Sequence, residues 1–411
     1  MTEILIYLSV LLLAAISAPL IVKGSCRKSS FLFALISAAG FALLMHFTTL
    51  TAGGERLVYQ AEWLPALYLN FSFLLDGLSL FMGLLVTGMG TLVLIFAGKY
   101  MEVYSNKERF FLYLLLFEFA MLGLVLSGNL FTLFIFWELT SVTSFLLVGF
   151  SHEKAEARQA ALQALLITVM GGLAMMAGFI LLGQTAGTLE IHELLLQGEK
   201  IRESPNYLPA LLLILAGAFT KSAQFPFHFW LPGAMQAPSP VSAFLHSATM
   251  VKAGIYLLAR LYPVLAGTPE WRYILTSAGM ITMLLGAYFA YAQTDFKKLL
   301  AYTTISALGT LVMLLGLDTH ESITAAVVFL LVHALYKGAL FMTAGLIDKA
   351  AHTRDLGKLG VLYRIMPFTA IVAILSLLSM AGLPPTGGFI GKEMFNEVKL
   401  SFPINGNCLN K

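Results

Sequence analysis

Phe219-Thr220-Lys221-Ser222-Ala223-Gln224-Phe225-Pro226-Phe227-His228-Phe229-Trp230-Leu231-Pro232 leads through Ala237-Pro238-Ser239-Pro240 to Leu245-His246-Ser247-Ala248-Thr249-Met250-Val251-Lys252. An apolar run from Leu208 to Thr220 ends in Lys221, four prolines (Pro226, Pro232, Pro238, Pro240) follow, and a second apolar run carries Lys252 in its middle. Proline removes a backbone donor and clashes with the preceding turn, so regular helix stops here. A bilayer tolerates broken backbone only where protein or a water-filled cavity surrounds it. An ammonium at membrane depth costs about 2.5 kcal/mol or more. A lysine beside a helix break in a membrane is therefore a candidate site. The blander reading is a helix end whose lysine snorkels to the interface, and the rest of the chain weighs against it.

Working outward, the 411 residues are 58% hydrophobic and only 11% charged, where a soluble domain carries about 25% charge. The chain reads as an all-α polytopic membrane protein. Apolar runs of crossing length fall near 4–22, 31–49, 77–97, 110–127, 129–150, 159–183, 208–224, 241–262, 273–292, 299–317, 323–347 and 367–395, about twelve helices with the last interrupted. No basic segment precedes the first run, so it reads as a spanning helix and not a signal peptide. Ser127-Gly128-Asn129 joins two runs as a tight antiparallel hairpin. The mixed loop Thr51–Leu75, with Gly53-Gly54 and Trp63-Leu64-Pro65, reads as a short hairpin or interfacial segment on the outer surface. Cys26 and Cys408 are the only cysteines, too few for a disulfide framework or a metal cluster. No cofactor, metal or nucleic-acid partner is expected.

Alternate loops differ in charge. One set contains Lys23, Arg27, Lys28, Lys99, Lys107, Arg109, Lys154, Arg158, Lys297, Lys298, Lys349, Arg354, Lys358 and Arg364; the other holds only Arg56, Lys200, Arg202, Arg260 and Arg272, with the acidic stretch Glu190 to Glu203. The positive-inside rule places the first set in the cytoplasm and the N-terminus outside, in a cytoplasmic (inner) cell membrane. A weak repeat is also visible. Glu138 with its Ser/Thr neighbours precedes the Lys221 break by two helices, and Tyr302-Thr303-Thr304 precedes a second break, Gly382-Leu383-Pro384-Pro385, followed by Lys392. Paired interrupted helices at corresponding positions point to inverted repeats with an ion site. The expected organisation is N-terminal helices over 1–109, a first inverted unit over 110–262 broken near 221–240, a second, incomplete unit over 263–395 broken near 382–392, and a polar tail over 396–411.

The intramembrane charges are Glu118, Glu138, Lys221, Lys252, Lys337 and Lys392, with His246 and His333 at similar depth. His333 and Lys337 are four apart and share a helix face. Four lysines cannot all pair with two glutamates. Burial disfavours an ammonium and a neighbouring carboxylate favours it, so moving one partner charges or discharges such a lysine, as a proton relay requires. The expected order is Glu138 to Lys221, then Lys252, His333, Lys337 and Lys392, with Ser, Thr, Tyr and water bridging the gaps. Glu118 is the weakest member, a candidate for lateral access. A purely structural role for these charges is the rival reading. A quinone-reducing redox subunit would need haem-ligand pairs, a cysteine cluster or a dinucleotide fingerprint, and an organic-solute carrier would gather its polar residues at one midplane site; neither pattern is present.

Phe136-Trp137-Glu138-Leu139-Thr140-Ser141, Lys221-Ser222-Ala223-Gln224-Phe225-Pro226, Trp230-Leu231-Pro232-Gly233-Ala234-Met235, Pro238-Ser239-Pro240-Val241-Ser242-Ala243, His246-Ser247-Ala248-Thr249-Met250-Val251-Lys252 and His333-Ala334-Leu335-Tyr336-Lys337 closely resemble the antiporter-like subunit family. It comprises the proton-pumping membrane subunits of respiratory complex I and the large subunits of Mrp-type sodium/proton antiporters. The signature looks most like the N-terminal part of the A-type subunit of Mrp antiporters. The resemblance implies two inverted five-helix units, a key glutamate at Glu138, lysines at Lys221, Lys252 and Lys392, a relay through His333 and Lys337, and work in a hetero-oligomer exchanging Na+ for H+. It implies an ion-transport subunit with no redox or hydrolytic site of its own; a proton-pumping subunit of a complex I-like or membrane-bound hydrogenase assembly is the alternative. Family members continue well past the second break. Here Pro367–Gly382 is 16 residues, about 24 Å, short of the roughly 30 Å hydrocarbon core. The polar stretch after Phe395 therefore predicts a truncated or frame-shifted product, inefficient on its own.

Overall fold

The computed structural model describes residues 1–64, 69–360 and 362–401. Pro65 and the tail from residue 402 on, with Cys408, lie outside the described residues. The apolar runs become helices: α1 (Thr2–Ile21), α2 (Cys26–His46), α3 (Gly77–Tyr100), α4 (Lys107–Val125), α5 (Leu130–Val148), α6 (Ala155–Ala186), α7 (Tyr207–Lys221), α8 (Ser239–Ser247), α9 (Ala253–Leu265), α10 (Pro269–Tyr291), α11 (Phe296–Leu317), α12 (His320–Ala351), α13 (Pro367–Ala381) and α14 (Gly387–Ser401). Their ends carry the expected chemistry. Asp76 with Ser79 and Thr319 with Ser322 form capping boxes for α3 and α12, and Gly187 at φ +83° closes α6. Among the described residues, nine helical segments are long and apolar enough to cross a membrane. The chain is a mostly helical, multi-span bundle.

The Thr51–Leu75 loop contains the one sheet among the described residues, an antiparallel ribbon of β1 (Leu57–Leu64) and β2 (Leu69–Leu75). The α4–α5 turn is strung onto it: Gly128 N donates to Ser72 O at 2.8 Å and Leu126 O accepts from Leu74 N at 2.7 Å. The buried Glu190 carboxylate accepts from Ser72 Oγ (2.7 Å), Asn129 Nδ2 (2.8 Å) and Asn70 Nδ2 (3.2 Å). Three donors satisfy a charge that would otherwise be costly to bury.

The centre of the bundle is the segment from Ser239 to Leu265, wholly buried over its membrane-length window. α10 and α11 pack backbone to backbone: a Cβ at Gly279 would meet Gly309 and Met313, and one at Gly286 would meet Tyr302 and Ser306. Small residues permit such approach where lipid supplies no hydrophobic drive between helices.

One expectation is corrected here. The run 241–262 reads as one helix with Lys252 in its middle, but α8 ends at Ser247, a single turn spans Met250–Lys252, and α9 starts at Ala253. Thr249 Oγ1 donates to Phe244 O at 2.6 Å. Ser222 Oγ donates to Val251 O at 2.8 Å. Hydroxyls thus satisfy carbonyls that the interruption frees, and no proline is needed.

Candidate functional site

α7 stops at Lys221, and Ala223 takes φ +48°. The chain then runs through short turns, Phe227–Phe229, Trp230–Gly233 and Ala234–Gln236, before Pro238 and Pro240 open α8. Trp230 Nε1 donates to Thr220 O (2.9 Å) and Phe225 N to Thr282 Oγ1 (3.0 Å), so side chains satisfy the broken backbone. The two interruptions touch: a Cβ at Gly254 would meet Ala218 O and Ser222 Oγ.

Lys221, Lys252 and Lys337 are each 0% exposed, and among the described residues none forms an ion pair. Lys221 Nζ donates to Ser141 Oγ at 2.8 Å and Trp137 O at 3.0 Å, with the Trp137 ring 5.1 Å away. Glu138 lies between these partners on α5, half-buried and within electrostatic reach of Lys221. Its Oε1 is buried without a hydrogen-bond partner among the described residues, in space left by Gly172 of α6. Lys252 Nζ donates to Leu330 O at 3.1 Å. Lys337 Nζ donates to Leu300 O at 3.1 Å and to Thr303 Oγ1.

His333 lies on α12 one turn before Lys337, fully buried, within electrostatic reach of both Lys252 and Lys337. Its ring nitrogens, and those of His246, have no hydrogen-bond partner among the described residues. Buried polar atoms are nearly always paired, so these are conspicuous. Lys392 is exposed and donates across the second break to Ala381 O at 2.6 Å. The chain there turns at Gly382 (φ +72°), with Pro384 and Pro385 ahead of α14. A cavity of about 570 Å³ is lined by Thr303, Tyr336 and Lys392, so Lys337's partner and Lys392 border one space. Glu118 is brought to a different place: it is 0% exposed and accepts from Ser37 Oγ of α2.

Lys297 has no place in the sequence-based set, yet it is 2% exposed. It donates to Ala237 O (2.7 Å) and Met235 O (3.3 Å), closing the turns that follow the first break. Arg354 Nη1 also reaches Met235 O at 3.3 Å. Lys297, Asp348, Arg354 and Lys154 line a polar cavity of about 400 Å³, and His246 lies within electrostatic reach of Lys297.

A family model described as "NADH:quinone oxidoreductase/Mrp antiporter, TM" matches residues 127–401, and one described as the N-terminus of complex I chain 5 matches residues 63–111. Over 399 residues the chain is 46% identical to the A-type subunit of the Na+/H+ antiporter of Alkalihalophilus pseudofirmus, covering 93% of this chain and 50% of that protein. Over 344 residues it is 51% identical to the A/B-type subunit of a probable K+/H+ antiporter of Rhizobium meliloti, covering 84% of this chain and 34% of that protein. It superposes on a chain of the Mrp complex from a Dietzia species with a TM-score of 0.91 at 38% identity, over 98% of this chain and 44% of that one. The chain spans half the length, or less, of these relatives. With a matching family model over most of its residues and a broken-helix bundle of the same fold, the chain belongs to the NADH:quinone oxidoreductase/Mrp antiporter transmembrane family.

Proposed function

We propose that this chain carries protons through the membrane as part of a hetero-oligomeric cation/proton antiporter, and performs no redox or hydrolytic chemistry itself. The observation that carries the reading is the row of buried lysines, Lys221, Lys252 and Lys337. Each is held by hydroxyls or carbonyls and none by an ion pair among the described residues. Such an ammonium is held by neutral partners at contact distance and can surrender its proton without breaking a salt bridge. The orphan nitrogens of His246 and His333 are the donors and acceptors a passing proton would use. In this reading Glu138 sets the charge of Lys221. The proton passes by way of Lys252, His333 and Lys337 through the Thr303-lined cavity to Lys392, and the polar cavity at Lys297 admits protons from the cytoplasm.

The same reading makes the two breaks equivalent points of two inverted units and places the N-terminus outside. The relatives' names carry Na+ in one case and K+ in the other, so the exchanged cation is assigned by measurement. A proton-pumping subunit of a redox complex is the second reading, favoured by the complex I description of the N-terminal match.

The test is cation-driven proton flux in everted vesicles containing the assembled complex, comparing wild type with Lys221→Ala and Glu138→Ala and checking assembly on native gels. Flux should fall by about two orders of magnitude or more, as for loss of a positioned proton-transfer group, while assembly survives. Unchanged flux in an intact complex would make these charges structural. Proton movement driven only by a redox substrate, and not by a Na+ or K+ gradient, would favour the second reading.

A further inference from the structure

At the basic end of the bundle, α4, α5 and α6 leave a crevice of about 290 Å³. Its lining includes Arg109, Arg158, Tyr113, Phe145, Leu146 and Leu162. Two guanidinium groups therefore flank a largely apolar slot. Arg158 is fixed there, since its Nη1 donates to His152 O at 2.6 Å and Glu153 O at 3.3 Å. Among the described residues neither arginine forms an ion pair, and no carboxylate lines the crevice. The slot does not end at the arginines. Leu162 (50% exposed), Leu166 (63%), Met170 (68%) and Leu173 (55%) follow at helical spacing down one face of α6. They form a continuous apolar track from the crevice into the hydrocarbon depth.

We propose that this crevice binds an anionic glycerophospholipid, with its phosphate between Arg109 and Arg158 and one acyl chain along the Leu162–Leu173 track. Arginine matches phosphate with paired donors, and basic pockets between membrane helices on the cytoplasmic side suit anionic headgroups. Charge complementarity selects the headgroup, and the track selects a lipid over a free phosphate, which would make no use of Tyr113, Phe145 or Leu162. The basic end faces the cytoplasmic leaflet in the orientation proposed above, but the chemistry of the crevice does not depend on that orientation.

The experiment is native mass spectrometry of the full 411-residue chain in mild detergent with equal amounts of phosphatidylglycerol and phosphatidylcholine of the same acyl composition. Wild type should retain phosphatidylglycerol in preference. Arg109→Gln, whose side chain donates no hydrogen bond to the described residues, should lower that retention about fivefold, the effect of one interfacial arginine. Arg27→Gln, an exposed arginine of the same basic set at the start of α2, should leave it unchanged, and Arg109→Lys should restore part of it. A millimolar excess of inorganic phosphate should not displace the lipid. Equal retention of both lipids, an equal loss in Arg27→Gln, or displacement by phosphate would each overturn the proposal. Circular dichroism of Arg109→Gln separates loss of binding from loss of fold.

Discussion

Ser141 is the hydroxyl nearest to Lys221, 2.8 Å from its ammonium and one turn along α5 from Glu138. A hydrogen bond to a charged group contributes about 1.5–3 kcal/mol. Ser141→Ala removes that anchor but leaves the bond to Trp137 O, so the lysine should persist in a less defined position. We expect proton flux in vesicles to fall on the order of tenfold with assembly unchanged, and Ser141→Thr to keep most of it. Full flux in Ser141→Ala would mean that the position of Lys221 does not limit transfer. Residues like these were legible in the sequence because a charge in an apolar run stands out by its cost. Lys297 was not legible for the same reason in reverse. Beside Asp295 and Lys298 it reads as a solvated loop charge, and only the turns at Met235 and Ala237, folded over it, bury it.

The two interruptions differ in how their elements are stopped. Prolines mark the break after Lys221, and proline is visible in any sequence. The second, between α8 and α9, has neither proline nor glycine at Ala248-Thr249. It is held open by Ser222 and by the contact of Gly254 with α7, both remote in sequence, so local reading joined the pieces. The clasp that fixes α9 against the start of α3 was equally hidden. Arg260, 2% exposed, grips Asp76 through both carboxylate oxygens, one contact at 2.9 Å. Burial pushes the Asp76 carboxyl up, but the Arg260 bond and charge and the Ser79 amide outweigh it, holding it at about 2. A carboxyl depressed in the folded state adds stability above its ordinary value near 3.8 and loses it as pH falls toward about 2, a total of about 2 kcal/mol. Thermal unfolding in detergent should show Asp76→Asn less stable than wild type at pH 6, with a gap that narrows by about 1 kcal/mol by pH 3. A gap constant over that range would show that the carboxylate charge plays no part in the clasp.

Across the whole molecule, helix length alone undercounts crossings. α7 has 15 residues, about 22 Å of rise, against a hydrocarbon core of about 30 Å. The turns from Phe227 to Gln236 complete the path, since their end at Met235 and Ala237 meets Lys297 at the start of α11. α7 with these turns, α8 with α9, α10, α11 and α12 then make five traverses between the Glu199 loop and the Lys358 loop. An odd number puts the two loops on opposite faces, and in the orientation proposed above the Lys358 side, with its excess of lysine and arginine, is the cytoplasmic one. Glu199 and Lys358 are both exposed, so each can report its side. With Cys26 and Cys408 replaced by alanine, Glu199→Cys in right-side-out vesicles should react with a membrane-impermeant maleimide at once. Lys358→Cys should react only after permeabilisation. The opposite pattern would invert the orientation but keep the five traverses. Labelling of both from the same side would break the odd count, and with it the inference that the turns after Lys221 carry the chain across the membrane.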